Sequence, residues 1–213
     1  MDIIKENKFL LLLKFLILIL IAIFGLLYKE KYLNCLTKDF IMCLTSNKYI
    51  SKSGKFSFRY PKKYPVTFKT GNELLNQYNF DNNYVEWVNF SREFYPNAGG
   101  DRLGAIIVEK NISYQSINQF IDQILYDFNK SSKQYKKFQP QIEYLKISGK
   151  NAAKIIKSRQ SYNLTPSKNE YVIIHNKYLY IIDFYYDEYY HKLPKEYYQK
   201  GEQLILSTFT FND

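Results

Sequence analysis

Cysteine, histidine, glycine and proline are all scarce in this chain. Its 213 residues include two cysteines, two histidines, eight glycines and six prolines. A structural zinc site takes four cysteine or histidine ligands, so such a site would use all four of these residues. Glycine and proline together fall well below their usual share of roughly 12%, which excludes collagen-like, linker-like and proline-rich disordered chains.

Lysine and aromatic residues are abundant. Lysine and arginine number 30 against 20 acidic residues, for a net charge of +10, and 22 tyrosines and 16 phenylalanines are present. So many apolar rings are not typical of a disordered chain, and the length suits one domain. Arginine supplies only four of the basic residues. Specific readout of nucleic acid, which relies on arginine forks, is therefore not expected.

One long apolar run lies near the start, at residues 9–28, interrupted only by Lys14. Twenty helical residues span about 30 Å, the thickness of the hydrocarbon core. The run predicts a single transmembrane signal anchor that follows a short cytoplasmic segment, residues 1–8. The alternative is a cleaved signal peptide with residues 15–27 as its apolar region, but the small residues of a cleavage site do not follow.

Residues 29–53 are interpreted as a stalk between the anchor and the domain. They contain Cys35 and Cys43. In an exported chain two neighbouring cysteines can form a disulfide; the alternative is a pair of free thiols.

Periodicity from residue 54 onward predicts an α+β domain, residues 54–213. Strands are expected at 56–60, 66–71, 84–94 and 103–110, an amphipathic helix at 116–129, hairpins about 148–151 and about Asn176 and Lys177, and a closing helix at 195–207. Centring the second turn between Asn176 and Lys177 places Glu170 opposite Asp183. Both faces of this hairpin are apolar, so we expect an antiparallel sheet with helices on both faces.

The order of these elements resembles the PsbP-like family. The likeness covers residues 54–213 and is carried by FSFRYP (56–61), GAIIVEK leading into SINQFIDQIL, KISGKNAAKI, and ILSTFTF (205–211). The resemblance implies an α/β/α sandwich and a noncatalytic extrinsic or envelope protein. It carries over no catalytic residue and no cofactor.

An acidic cluster is the first candidate site. Glu170, Asp183, Asp187, Glu188 and His191 are brought together by the predicted register and by proximity in sequence. Facing carboxylates repel unless a cation or a proton lies between them, and oxygen ligands suit calcium. The alternative is that these groups are simply solvated, and no metal site is assigned with certainty.

Basic and aromatic segments are candidate partner surfaces. Residues 130–159 carry nine basic residues against one acid, among them Lys130, Lys133, Lys136, Lys137 and Lys150. These could contact anionic lipid headgroups or form an ordinary solvated surface. Seven aromatics at 183–198, including Tyr185, Tyr186, Tyr189 and Tyr190, could form a partner surface or pack in the core.

Catalytic motifs are absent from the sequence. It has no GxxxxGK[ST], HExxH, GxSxG or EF-hand pattern, and His175 is expected to pack on an aromatic face. The leading hypothesis is a noncatalytic binding or scaffolding module, anchored in a bacterial cytoplasmic membrane with its domain outside, whose partner is another envelope protein. The alternatives are a lipid or small-ligand carrier and a hydrolase assembled from residues distant in sequence.

Overall fold

A computed structural model of the chain describes residues 12–22, 40–78, 82–90, 103–110, 113–131, 140–158, 167–186 and 195–212. Residues 12–22, which lie inside the predicted anchor, are helical. Among the residues described, no helix is both long enough and apolar enough to cross a membrane.

The other described residues form ten strands and four further helices, joined by turns. The helices are α1 (Phe40–Leu44), α2 (Gly71–Tyr78), α3 (Ile117–Ser131) and α4 (Lys195–Thr208). The strands are β1 (Asn47–Ile50), β2 (Phe56–Tyr60), β3 (Thr67–Thr70), β4 (Tyr84–Asn89), β5 (Gly104–Lys110), β6 (Gln141–Ile147), β7 (Lys150–Ser158), β8 (Ser167–His175), β9 (Tyr178–Tyr186) and β10 (Thr210–Phe211).

The strands form two antiparallel sheets. A large sheet has the order β3-β4-β5-β9-β8-β7-β6, and a small one has the order β1-β2-β10. The large antiparallel sheet was predicted from the sequence, whereas the small sheet was not. Its β1 lies within the segment assigned to the stalk and pairs with β2, from Asn47 opposite Tyr60 to Ile50 opposite Ser57.

The register of the β8–β9 hairpin is confirmed, with Glu170 opposite Asp183 and His175 opposite Tyr178. Asn176 and Lys177 both have positive φ, 48° and 65°, as a two-residue type I′ turn requires. The β6–β7 hairpin turns in the same way at Ser148 and Gly149.

Each face of the large sheet packs against different elements. On one face, α3 places Ile117 and Ile121 against Val172 and Leu179, and α2 places Leu74 on Trp87 and Ala105. The opposite face is covered by α4 and the small sheet, with Tyr180 and Ile182 packed among Phe56, Phe58, Ile205 and Phe209. The α+β sandwich with helices on both faces is therefore observed.

Candidate functional site

The predicted acidic cluster is only partly described. Glu170 and Asp183 are neighbours on adjacent strands and are buried, with 6% and 3% of their surfaces exposed. Asp187, Glu188 and His191 lie outside the described residues. Within the ranges that the structure covers, no three His, Cys, Asp or Glu residues are grouped so as to hold a metal ion. The cation site therefore stays a prediction.

The predicted basic surface is divided among separate places. Lys130 is exposed in the last turn of α3, and Lys150 is half-buried at the start of β7. Because α3 begins beside the β6–β7 hairpin and rises 1.5 Å per residue, Lys130 lies about 20 Å farther along it. Lys154 contributes to an ion pair, 3.5 Å from Glu143. Lys133, Lys136 and Lys137 lie outside the described residues.

The aromatic segment and the cysteines are mostly outside the described part of the chain. Tyr185 is half-buried in β9, and its backbone N–H donates to Leu103 O at 3.0 Å. Tyr186 ends β9, whereas Tyr189, Tyr190 and Cys35 fall in ranges that are not described. Cys43 lies in α1. The partner surface at these tyrosines and the disulfide remain predictions.

A buried carboxylate that the sequence did not single out joins the two sheets. Glu86 of β4 is fully buried and accepts five hydrogen bonds from β1 and from the turn that follows it. Its Oε1 accepts from Tyr49 Oη at 2.7 Å and from Lys52 N at 3.0 Å. Its Oε2 accepts from Ser51 Oγ at 2.5 Å, and from Ser53 N at 3.1 Å and Oγ at 2.8 Å. In the sequence, the only indication of this site was an acidic residue within the apolar run YVEWV.

A second buried carboxylate joins α4 to the large sheet. Glu202 is 7% exposed and accepts hydrogen bonds from Tyr171 Oη and from Asn169 Nδ2, the latter at 3.2 Å. Burial raises the pKa of Glu202, and hydrogen bonds from Tyr171 and Asn169 and the charge of Lys154 only partly oppose this shift. Burial likewise raises the pKa of Tyr171. Both buried carboxylates hold elements together, which is a structural role.

An open concave surface lies at the end of the large sheet where β6 turns into β7 and β8 turns into β9. Two adjoining cavities of about 540 and 890 Å³ share Gln115 and Ile174 and form what we call the turn-end groove. Three lysines line it, Lys110, Lys150 and Lys177, and no aspartate or glutamate is among its described lining residues. The groove is therefore basic.

Aromatic side chains also line the groove. The groove is lined by Tyr114, Tyr144, His175 and Tyr178. Lys55, from the turn between β1 and β2, places its Nζ 4.7 Å from the centre of the Tyr178 ring, a cation–π contact. The His175 ring packs on Phe211 with 4.6 Å between ring centres, as expected for a histidine on an aromatic face.

Helix α3 begins at this groove with a reciprocal cap. Gln119 N donates to Ser116 Oγ at 3.3 Å, and Gln115 N donates to Gln119 Oε1 at 2.7 Å. The arrangement resembles a capping box, except that the Gln119 side chain accepts from the residue before the N-cap Ser116 and not from Ser116 itself. The helix start is therefore positioned by its own residues.

The turn-end groove was not predicted as a site, although Lys150 was among the partner-surface candidates. Its residues come from β5, α3, both hairpins and the segment before α3. Only the strand order shows that these residues, which are distant in sequence, line one surface.

Comparisons with known proteins bear on the fold. No family model and no curated protein matches the chain. A solved structure of the cyanobacterial PsbP (CyanoP) from Synechocystis sp. PCC 6803 is similar, with 11% identity and a TM-score of 0.48, over 78% of this chain and 92% of that one. A point mutant of the protein Mog1 matches with 12% identity and a TM-score of 0.43, over 79% and 96% of the two chains.

A crystal structure from Bacteroides thetaiotaomicron is also similar, at 13% identity with a TM-score of 0.42. The match covers 79% of this chain and 49% of that chain. A PsbP structure is thus among the solved structures similar to this chain.

Proposed function

We propose that this protein is a noncatalytic binding module of the bacterial cell envelope, anchored in the cytoplasmic membrane with its domain outside the cytoplasm. In this proposal the turn-end groove is the surface that binds the partner. One observation carries it: the groove is open, and Lys110, Lys150 and Lys177 line it among aromatic rings with no described acid beside them. Tyrosine is among the residues enriched at recognition surfaces, and the lysines give the groove a positive charge that can steer an anionic partner.

Binding suits the groove better than catalysis, because its reactive side chains already have structural contacts. His175 packs on Phe211, and Ser116 caps α3. A hydrolase would need a nucleophile within hydrogen-bond reach of a base, about 2.6–3.2 Å. The contacts described for His175 and Ser116 do not pair a nucleophile with a base, so they favour the binding module over the hydrolase alternative.

The carrier alternative is less well supported by the described cavities. A lipid carrier would enclose its ligand in a mostly apolar pocket. Both cavities of the turn-end groove are open, and lysine and amide side chains contribute to their linings.

Exposed apolar side chains support the membrane anchor. In the helical residues 12–22, the leucine, isoleucine and phenylalanine side chains from Leu12 to Ile21 are 43–66% exposed. Water does not favour so many exposed apolar side chains in sequence, whereas a bilayer does. This supports insertion of the predicted span, residues 9–28.

Site-specific photocrosslinking in native membranes tests the groove assignment. A photoreactive phenylalanine derivative would replace Tyr144 in the groove or, as a matched control, Tyr126 on α3; the two tyrosines are 62% and 61% exposed. We expect the same partner to be captured reproducibly at position 144 and not at position 126. Equal capture at both positions, or none at either, would show that the groove is not the binding surface.

A further inference from the structure

Helix α1 exposes two large aliphatic side chains. Ile41 is 74% exposed, the highest fraction among the large hydrophobic residues that the structure describes, and Leu44 is 55% exposed. Because they are three positions apart on a helix, they lie on the same side of it. Water does not favour this arrangement, whereas an apolar surface beside α1 would bury both side chains.

The segment that begins at α1 is strongly basic. Residues 40–72 contain seven lysine or arginine residues and no aspartate or glutamate. The seven are Lys48, Lys52, Lys55, Arg59, Lys62, Lys63 and Lys69. Such a segment is attracted to an anionic surface.

The register of the small sheet brings four of these cations close to α1. Asn47, at the start of β1, pairs with Tyr60, at the end of β2, and Lys48 pairs with Arg59. Since paired residues have their side chains on the same face, Lys48 and Arg59 are neighbours on this sheet.

The other two cations follow the end of β2. Lys62 and Lys63 are both exposed and come directly after Pro61. Arg59 Nη1 donates to Ser46 Oγ at 3.4 Å, which joins this end of β2 to the residues between α1 and β1. We call this part of the domain the α1 end. It comprises Ile41, Leu44, Lys48, Arg59, Lys62 and Lys63.

The α1 end and the turn-end groove are at opposite ends of β2. Lys55, just before β2, lies over the ring of Tyr178 in the groove. Strand β2 then runs from Phe56 to Tyr60, which carries the chain about 14 Å away from that contact. A surface bound at the α1 end would therefore leave the groove accessible.

We propose that the α1 end lies against the bilayer that holds the anchor. Ile41 and Leu44 enter the headgroup region, and the cations of the α1 end contact anionic lipid headgroups. Apolar side chains beside lysines are typical of segments that lie in a membrane interface. The inference rests on the proposed anchor, and it adds the orientation of the domain and the class of lipid that it contacts.

The position of α1 in the chain supports this orientation. The predicted span ends at residue 28 and α1 begins at Phe40, so residues 29–39 connect them. Even fully extended, that connection reaches only about 40 Å, no more than the width expected for a domain of this size. The anchor therefore keeps the domain close to the bilayer, and α1 is the described element of the domain that follows it first along the chain.

A lipid surface suits the α1 end better than a protein partner. Protein interfaces are enriched in aromatic residues and arginine and depleted of lysine. The exposed apolar side chains of the α1 end are aliphatic, and three of its four cations are lysines. Lysine interacts with lipid phosphates as a point charge and needs no fixed geometry.

Quenching of tryptophan by brominated lipid tests the contact. Trp87, the one tryptophan of the chain, is only 6% exposed, so a second tryptophan on the surface reports on lipid. The full chain is reconstituted in vesicles of phosphatidylcholine and phosphatidylglycerol, with or without bromine on the acyl chains. Ile41→Trp and Leu44→Trp should lose emission in the brominated vesicles. The control Tyr144→Trp, at a position in the groove that is 62% exposed, should not.

Neutralising lysines separates the α1 end from general attraction. In the Ile41→Trp background, Lys62→Gln/Lys63→Gln should weaken the bilayer contact about thirty-fold, which is measured as weaker quenching at position 41. Added salt should also weaken it. The matched control Lys130→Gln/Lys146→Gln neutralises two exposed lysines outside the α1 end and should leave the quenching unchanged. Melting temperatures confirm that all variants are folded.

Several results would overturn the inference. They are equal emission at positions 41 and 44 in the two kinds of vesicle, equal quenching at position 144, and an equal loss of quenching in Lys130→Gln/Lys146→Gln. In native membranes a photoreactive residue at position 41 should attach to lipid, and reproducible capture of a protein there would show that the α1 end is a protein interface.

Flotation of the vesicles after a carbonate wash distinguishes this inference from the proposed anchor. If the chain floats with the vesicles but positions 41 and 44 are not quenched, the anchor stands and only the orientation is lost. If the chain does not float, the anchor is wrong and the orientation is lost with it.

Discussion

Replacing Glu86 with glutamine should destabilise the joint between the two sheets. The Glu86 carboxylate accepts from three hydroxyls and two backbone N–H groups, those of Lys52 and Ser53. Glutamine keeps the shape of the side chain, but one of its two terminal atoms becomes an N–H donor. A hydroxyl can rotate and accept from that donor, whereas a backbone N–H cannot.

The magnitude follows from what glutamine leaves unpaired. If the amide nitrogen replaces Oε1, it faces Lys52 N; if it replaces Oε2, it faces Ser53 N. In either case one buried backbone N–H loses its acceptor, which costs about 1–3 kcal/mol of stability. The remaining hydrogen bonds also become weaker, because their acceptor no longer carries a charge. We expect Glu86→Gln to lower the free energy of unfolding by about 2–4 kcal/mol, which lowers Tm by roughly 4–16 °C in a chain of this length.

Urea and thermal unfolding followed by circular dichroism measure this change. Tyr49→Phe is the matched control, because it removes one hydroxyl donor and leaves the other four donors to Glu86 in place. Its cost should be about 1.5 kcal/mol, the low end for one hydrogen bond to a charged acceptor, because the other donors remain. If Glu86→Gln proved no more destabilising than Tyr49→Phe, the carboxylate would not be the joint that the hydrogen bonds indicate.

Three further predictions concern α4 and the β8–β9 turn. Burial in the folded state raises the pKa of Glu202. Stability should therefore fall as pH rises from the ordinary carboxyl pKa to the raised one. Unfolding curves measured across this pH window should show that fall in the parent protein and not in Glu202→Gln. A Cβ at Gly201 would lie 2.2 Å from Tyr64 Oη. Although alanine has a better helix propensity than glycine, Gly201→Ala should therefore lower the free energy of unfolding by about 1–3 kcal/mol. An unchanged Tm would contradict this packing. Lys177 has φ 65°, a conformation in which glycine has no steric penalty. Lys177→Gly should therefore raise the free energy of unfolding, measured in urea, by about 0.5–1 kcal/mol. A loss of stability would argue against the type I′ turn.

Local patterns predicted the elements whose partners are close in sequence. The β8–β9 hairpin could be placed residue by residue because its two strands are joined by Asn176 and Lys177, so one turn position determines every pair. Helix α3 was predicted at 116–129 and is observed at Ile117–Ser131, because its apolar residues recur at helical spacing.

The small sheet could not be predicted in this way. β10 pairs with β2 through Thr210 and Ser57, which are 153 positions apart, and it has only two residues, too few to show a period. The same reason applies to Glu86, whose hydrogen-bond donors lie 33–37 positions earlier in the chain.

By itself, the sequence determined the fold class, the main strands and helices, the β8–β9 register and the apolar character of residues 9–28, because each depends on composition or on contacts between near neighbours. The tertiary structure alone decided which strands are adjacent, and so which lysines and rings meet. Lys110 and Lys150 are 40 positions apart along the chain, yet the sheet order β5-β9-β8-β7 brings both to the turn-end groove. Pairing between distant strands is set by packing of the whole domain, and no local pattern encodes it.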